Sequence, residues 1–204
     1  GPPIPEIAVQ KKTLFFGVVA VVLTLLDQAT KWWIRANLCL QPSRFCELPR
    51  SVDVIPGWFQ IVHVENRGAA FGMLNTFEYR MWVFLIFTIV AVVLLTVMYL
   101  QLESDDVFLS TTLGLILSGA LGNGIDRVDK QAVTDFLRFY VDQPEWKARL
   151  IQTFGTNEYP SFNVADMAIV IGVGLLFIHY LFLEDREEEA TAAAAEEEAA
   201  AAAV

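Results

Sequence analysis

Asp135, in Val133-Thr134-Asp135-Phe136, and Asp166, in Phe162-Asn163-Val164-Ala165-Asp166, are the residues of this 204-residue chain best placed to do chemistry. Two carboxylates held within a few ångströms cannot both ionise comfortably, so the pair shares a proton, one group acting as base toward water and the other as acid. That is the chemistry of aspartyl peptide hydrolysis. Asn123, Asp126, Arg127 and Asn163 cluster around the two in sequence. A structural use of the same acids is open: at helix ends they serve as caps, or they pair with Arg127 and Arg138. Asp27 and Lys31 are four residues apart, hence on one helix face. Asp27 lies roughly 22 Å of helix beyond Lys12, still below the far edge of a bilayer. At that depth an ionisable group marks a functional site, or else a helix-end ion pair whose Lys reaches up to the interface.

The elements that would position these groups are membrane spans. The chain is 55% hydrophobic, with mean hydropathy +0.47 and only 19% charged residues, which does not describe a water-soluble globule. Four stretches approach the roughly 20 apolar residues a span needs. They are residues 13–34, 81–102, 107–125 and 167–183, the last lengthened by 161–166. The link 103–106 then lies on the side of the termini, and residues 35–80 and 126–162 lie on the far side. Because spans three and four meet on the far side, Asn123, Asp126, Asp135, Asn163 and Asp166 converge there at one depth. Ser51–Glu65, rich in Val, Ile, Trp and Phe and broken by Pro56-Gly57, reads as strand. In Pro144–Phe154, Trp146, Leu150 and Phe154 recur at helical spacing with Lys147 and Arg149 between them, as in a helix lying at the lipid boundary. Gly114, Ser118 and Gly122 form a flat stripe for close helix packing. His179 reads as a packing residue. The expected fold class is an all-α polytopic membrane protein with four transmembrane helices, a small β-rich segment and a short interfacial helix.

The division along the chain is an N-terminus, 1–12, a membrane domain, 13–183, and an acidic Ala/Glu tail, 184–204. Gly1-Pro2, without an initiator Met, reads as a protease-cleavage remnant. The formal charge is −10, but residues 184–204 carry eight acids and one Arg, so the rest of the chain holds only −3. Nucleic acid is not a partner expected of such a chain. Cys39 and Cys46 are too few for a disulfide scaffold or a Cys-cluster zinc site. They either form one bridge on an oxidising side or pack as two small apolar side chains. Lys11, Lys12 and Arg186 stand on the terminal side and the other eleven Lys and Arg on the far side. A plain positive-inside count puts the termini outside.

Four blocks, in order, are similar to one family: Asp27-Gln-Ala-Thr-Lys31; Asn66-Arg-Gly68-Ala-Ala-Phe-Gly72; Gly119-Ala-Leu-Gly-Asn123-Gly-Ile-Asp126-Arg127 with Val133-Thr-Asp135-Phe136; and Phe162-Asn163-Val-Ala-Asp166. The chain resembles lipoprotein signal peptidase, the type II signal peptidase of bacteria, over about residues 13–183. The resemblance implies an inner-membrane aspartyl protease that cuts before the diacylglyceryl-bearing Cys of prolipoproteins. It implies Asp135 and Asp166 as the catalytic pair, with Asp27, Lys31, Asn66, Gly68, Asn123, Asp126, Arg127 and Asn163 in support. No metal or organic cofactor is implied. Its partners would be diacylated prolipoproteins and membrane lipid, and the chain a monomer. The family's topology puts both termini in the cytoplasm and the site near the periplasmic face, against the cation count. Departures from the pattern are Gly124, where an aliphatic residue is usual, the longer segment Phe139–Ser161, and the tail.

Two other classes compete. An ion or proton transporter would use Asp27, Lys31 and the Asp pair as a relay, but spans two and four are uncharged through their middles. An assembly subunit packing through the Gly114 stripe would need no approach of Asp135 to Asp166.

Overall fold

The structure, a computed structural model, describes residues 5–42, 45–68, 79–103 and 106–183. The tail, and the Ala69–Gly72 end of the second motif, lie outside the described residues. The apolar runs become α1 (Pro5–Asn37), α2 (Arg80–Gln101), α3 (Val107–Lys130) and, after a short helix α4 (Pro144–Phe154), α5 (Val164–Ile178), which continues as a π-helical turn His179–Leu183. Four stretches within them are long and apolar enough to cross a membrane: Lys11–Asn37, Met81–Gln101, Val107–Lys130 and Val164–Leu181. α3 is the central post, mostly buried, whereas the other three turn most of their apolar side chains outward. Lipid, not water, is the solvent for those faces.

Small residues let the other helices close on α3. Gly114 lies against Phe16 of α1, and Gly119 lies against Ala165 and Ile169 of α5. Gly172 receives Ile116. The expected Gly114, Ser118 and Gly122 stripe is thus the α1 seam, with Thr24 Oγ1 donating to the Ser118 carbonyl at 3.4 Å. Gly122 has a second use: a Cβ there would stand 2.5 Å from Asp27 Oδ2 and 3.2 Å from Ala165 Cβ. Gly122→Ala is therefore expected to destabilise the protein by about 1–3 kcal/mol, read as a lower Tm in detergent, whereas Gly174→Ala, with nothing within 4 Å, should be neutral.

On the outer ends of the helices sits a three-stranded antiparallel sheet in the order β1-β2-β3, built from β1 (Ser51–Ile55), β2 (Phe59–Asn66) and β3 (Val133–Phe139). β2 runs from Phe59, opposite Phe139, to Asn66, opposite Val133, with an irregularity between Ile61 and Val64. Phe136, Ile61 and Leu137 pack down on Ile34 and Leu38 of α1 and on Val164. The sequence showed the β1–β2 hairpin about Pro56-Gly57 but not β3. Val133–Phe136 are buried on both faces, so no polar alternation marks that strand. β1 pairs with β2 over Phe59–Val62 and β3 takes the other edge of β2 from Phe59 to Asn66, so Val64–Asn66, beside Asp135, has no partner in β1. The outer side of β3 is bridged by Phe162, whose carbonyl accepts from Phe136 and Leu137.

α4 forms where its spacing implied, with Pro144 at its start and Gly155, at φ +77°, ending it. Cys39 and Cys46 form a disulfide within the α1–β1 loop. His179 is a packing residue, stacked on Phe108 at 5.7 Å.

Candidate active site

Asp135 and Asp166 reach one place by different routes. Asp135 is on β3, opposite Val64 of β2. Asp166 is in the first turn of α5, where Asn163 is the N-cap: the Asn163 side chain accepts from Asp166 N at 2.9 Å, and Asp166 Oδ2 accepts from Asn163 N at 3.1 Å. The structural and chemical readings of Asp166 therefore coincide. Its carboxylate caps the helix while facing the same cleft as Asp135, about 730 Å³ in volume and walled by Asn66, Arg67, Arg138 and Phe162.

Three amides hold the carboxylates. Asp135 accepts from Asn163 Nδ2 at 2.8 Å and from Asn66 Nδ2 at 3.1 Å. Asn123 Nδ2 donates to Asp166 Oδ1 at 2.8 Å. Asn66 also turns its carbonyl oxygen to Gly68 N at 3.0 Å. Gly68 is at φ +98°, and a Cβ there would collide with the Phe84 ring, so a glycine is required on both counts. Burial, reinforced by the Asp166 charge and opposed by the bonds from Asn66 and Asn163, pushes Asp135 up from 3.8 to about 7. Arg127 stacks on Phe84 at 5.1 Å and donates to the Asn123 carbonyl at 3.3 Å. It pairs with neither Asp directly, and Arg138 instead bonds Ser161 and Gln41.

Below the cleft lies a buried ionic network. Lys31 and Asp27 are fully enclosed, 2.8 Å apart, so Lys31 does not reach up to the interface. Its ammonium also meets Asp126 at 3.2 Å and Asn123 Oδ1 at 2.9 Å. Asp27 accepts from Ala165 N at 2.9 Å, and Asp126 from Thr134 N at 3.0 Å. α1, α3, α5 and β3 are thus tied at one level, one residue from each catalytic candidate. Arg35, donating to Thr134 Oγ1 at 3.0 Å and standing 3.4 Å from Asp126, balances the charge at two acids and two cations. Sequence reasoning passed over Arg35 and Gln28, whose Nε2 donates to the Gly122 carbonyl at 3.0 Å. The signal for Arg35 was available: it follows Lys31 by four residues, on the face of Asp27. Of the ten residues singled out in the sequence, eight hold or form the cleft carboxylates or the network, and Gly68 and Arg127 each bond one of those eight, Asn66 and Asn123 respectively.

A polytopic membrane protein with a buried polar cluster under an outer cleft is the class these observations define. The sequence profile described as Signal peptidase (SPase) II matches residues 19–182. A lipoprotein signal peptidase of Geobacter sulfurreducens is 40% identical over 84% of this chain and 94% of its own length. That of Bacillus pumilus is 39% identical over 82% of this chain and 93% of its own. A bacterial membrane enzyme solved by the in meso method at 1.9 Å superposes with TM-score 0.64 and 30% identity, over 82% of this chain and 93% of that one. The chain belongs to the signal peptidase II family. It is accordingly a bacterial membrane peptidase acting on lipoprotein signal peptides.

Proposed function

We propose that this chain is an intramembrane aspartyl endopeptidase that removes the signal peptide from diacylglyceryl-modified prolipoproteins, cutting on the N-terminal side of the lipidated Cys. The observation that carries the reading is the pair Asp135 and Asp166 on one cleft, each held by amide donors, with Asp135 pushed up to about 7. Asp135 is the proton-holding acid and Asp166 the base. Water attacks the scissile carbonyl carbon and yields a proton to Asp166, while Asp135 gives its proton to the carbonyl oxygen. When the tetrahedral adduct collapses, the C–N bond breaks, the leaving nitrogen takes the proton from Asp166, and Asp135 recovers its own from the adduct hydroxyl whose oxygen becomes the carbonyl of the new carboxyl group. Asn66, Asn123 and Asn163 keep both carboxylates aimed, and no metal or organic cofactor takes part.

The protein works as a monomer in the inner membrane, with both termini cytoplasmic and the cleft toward the periplasm. The Cys39–Cys46 disulfide, on the cleft side, supports that orientation, since such bonds persist in oxidising compartments. The cation count argues the other way even with Lys31 and Arg35, engaged with Asp27 and Asp126, set aside, at nine against three.

The test is purified protein incubated with a diacylated prolipoprotein and a search for the shortened product. A pH profile then reads the roles. With Asp135 as the acid at about 7, kcat/KM falls roughly tenfold per pH unit above neutrality. A loss of activity on going below pH 7, with a plateau above it, would instead make Asp135 the base.

A further inference from the structure

Asp135 is on β3, beyond the end of α3, and Asp166 is in the first turn of α5, at the outer end of its span. A peptide bond brought to these carboxylates carries the adjoining lipidated residue with it. The first carbons of its acyl chains then leave the hydrocarbon, and each methylene left in water weakens binding about fourfold. An apolar cover within reach of the cleft removes that loss.

A second cavity, about 620 Å³, lies between α4 and the distal end of the sheet, walled by Trp58, Phe139, Leu150, Phe154 and Tyr159. It shares Thr156, Glu158, Tyr159 and Pro160 with the cleft of Asp135 and Asp166. From Asp135 to Phe139 is four residues of strand, roughly 13 Å. Aromatic rings run along this path: Phe139 stacks on Phe162 at 6.0 Å, and Tyr159 meets Phe162 edge-on at 6.2 Å. At the mouth, Phe154 is 72% and Tyr159 65% exposed, outside every span. Contiguous exposed rings of this kind mark a binding surface. α4 supplies one wall through Leu150 and Phe154. Of the three residues expected on its apolar face, Leu150 and Phe154 line the cavity; Trp146 lies outside it, beneath Arg149 at 5.5 Å.

We propose that this cavity binds one acyl chain of the substrate's diacylglyceryl group, lifting it from the bilayer as the scissile bond enters the cleft. The proposal rests on the function argued above. It is tested with the full-length protein in lipid nanodiscs and two substrates of one peptide sequence, whose Cys carries a dipalmitoylglyceryl or a dibutyrylglyceryl group. Leu150→Trp narrows the cavity, and Leu150→Ser with Phe154→Ser makes it polar. In both, the ratio of kcat/KM for the long-chain over the short-chain substrate is expected to fall about tenfold, through KM. An unchanged ratio, whether both substrates suffer equally or neither does, overturns the site. A photoreactive diazirine near the methyl end of the long chain gives a reading in the unaltered protein, independent of any variant's folding. Crosslinks within residues 139–160 are expected, and crosslinks confined to α2, α3 and α5 would leave the chain in the bilayer and overturn the proposal. If the unaltered protein cleaves neither substrate, the peptidase reading fails, and the crosslink still decides the cavity separately.

Discussion

Asp135→Asn and Asp166→Asn are each expected to lower cleavage of a diacylated prolipoprotein by roughly 10³-fold or more, in protein that inserts and purifies normally. The amide keeps the shape of the carboxyl group but can neither hold the shared proton nor accept one from water. Asp135→Asn carries a second signature. The folded state raises the Asp135 pKa from 3.8 to about 7, so it binds that proton more tightly than the unfolded chain does. The associated stability is complete below about pH 4 and is lost as pH rises to about 7, an effect of roughly 4 kcal/mol as an upper bound. Asn does not titrate and escapes the loss, although its NH₂ group must face one of the donors Asn66 and Asn163. The inactive Asp135→Asn protein should therefore melt higher than the parent at pH 8, by about 1–2 kcal/mol net of that lost bond, and no higher at pH 4. Appreciable turnover in either variant would remove the dyad assignment. A variant inactive but no more stable at pH 8 would show that Asp135 is not held against its charge.

Lys31→Met is expected to be the most damaging substitution for the fold. Lys31 is enclosed with Asp27 and Asp126 at 2.8 and 3.2 Å, and its removal leaves Asp27 without its cation and Asp126 with Arg35 alone, at a cost of about 3–5 kcal/mol. A simple pair model says that exchanging the partners, Asp27→Lys with Lys31→Asp, restores the interaction. The structure says otherwise: the exchange sets a carboxylate at position 31 against Asp126 and removes the acceptor from Ala165 N. No recovery is expected from the exchange. Asp27→Asn combined with Lys31→Met should be more stable than Lys31→Met alone, because Arg35 and Asp126 then remain as a balanced pair. Thermal melts of the four proteins decide it, and recovery by the exchange would reduce the network to an isolated ion pair.

Much of this was legible in the chain because a bilayer simplifies the code. A span must be apolar, long and helical, so the four spans could be bounded from composition to within about five residues, although α1 itself begins earlier, at Pro5. Any charge or amide inside them had to have a reason, which brought out Asp27, Lys31, Asn123 and Asp126 at once. α4 was legible from its apolar spacing and its Pro144 start. Convergence of Asp135 and Asp166 followed from topology alone, since the third and fourth spans share an end. Tertiary structure decided the rest. Strand β3 is buried on both faces at Val133–Phe136, with polar Thr134 and Asp135 side by side, so it carries neither the alternation nor the apolar run that marks a strand. Asp27 and Lys31 read as a local pair because sequence spacing reports only neighbours on one helix, whereas Asp126 and Asn123 reach Lys31 from 95 and 92 residues away on α3. Whether Cys39 and Cys46 bond, and that Asp166 is at once a helix cap and a wall of the cleft, depend on where loops and helix ends meet in space. One sequence records residue types and their order, and long-range electrostatics and burial come into being only when the helices close on α3.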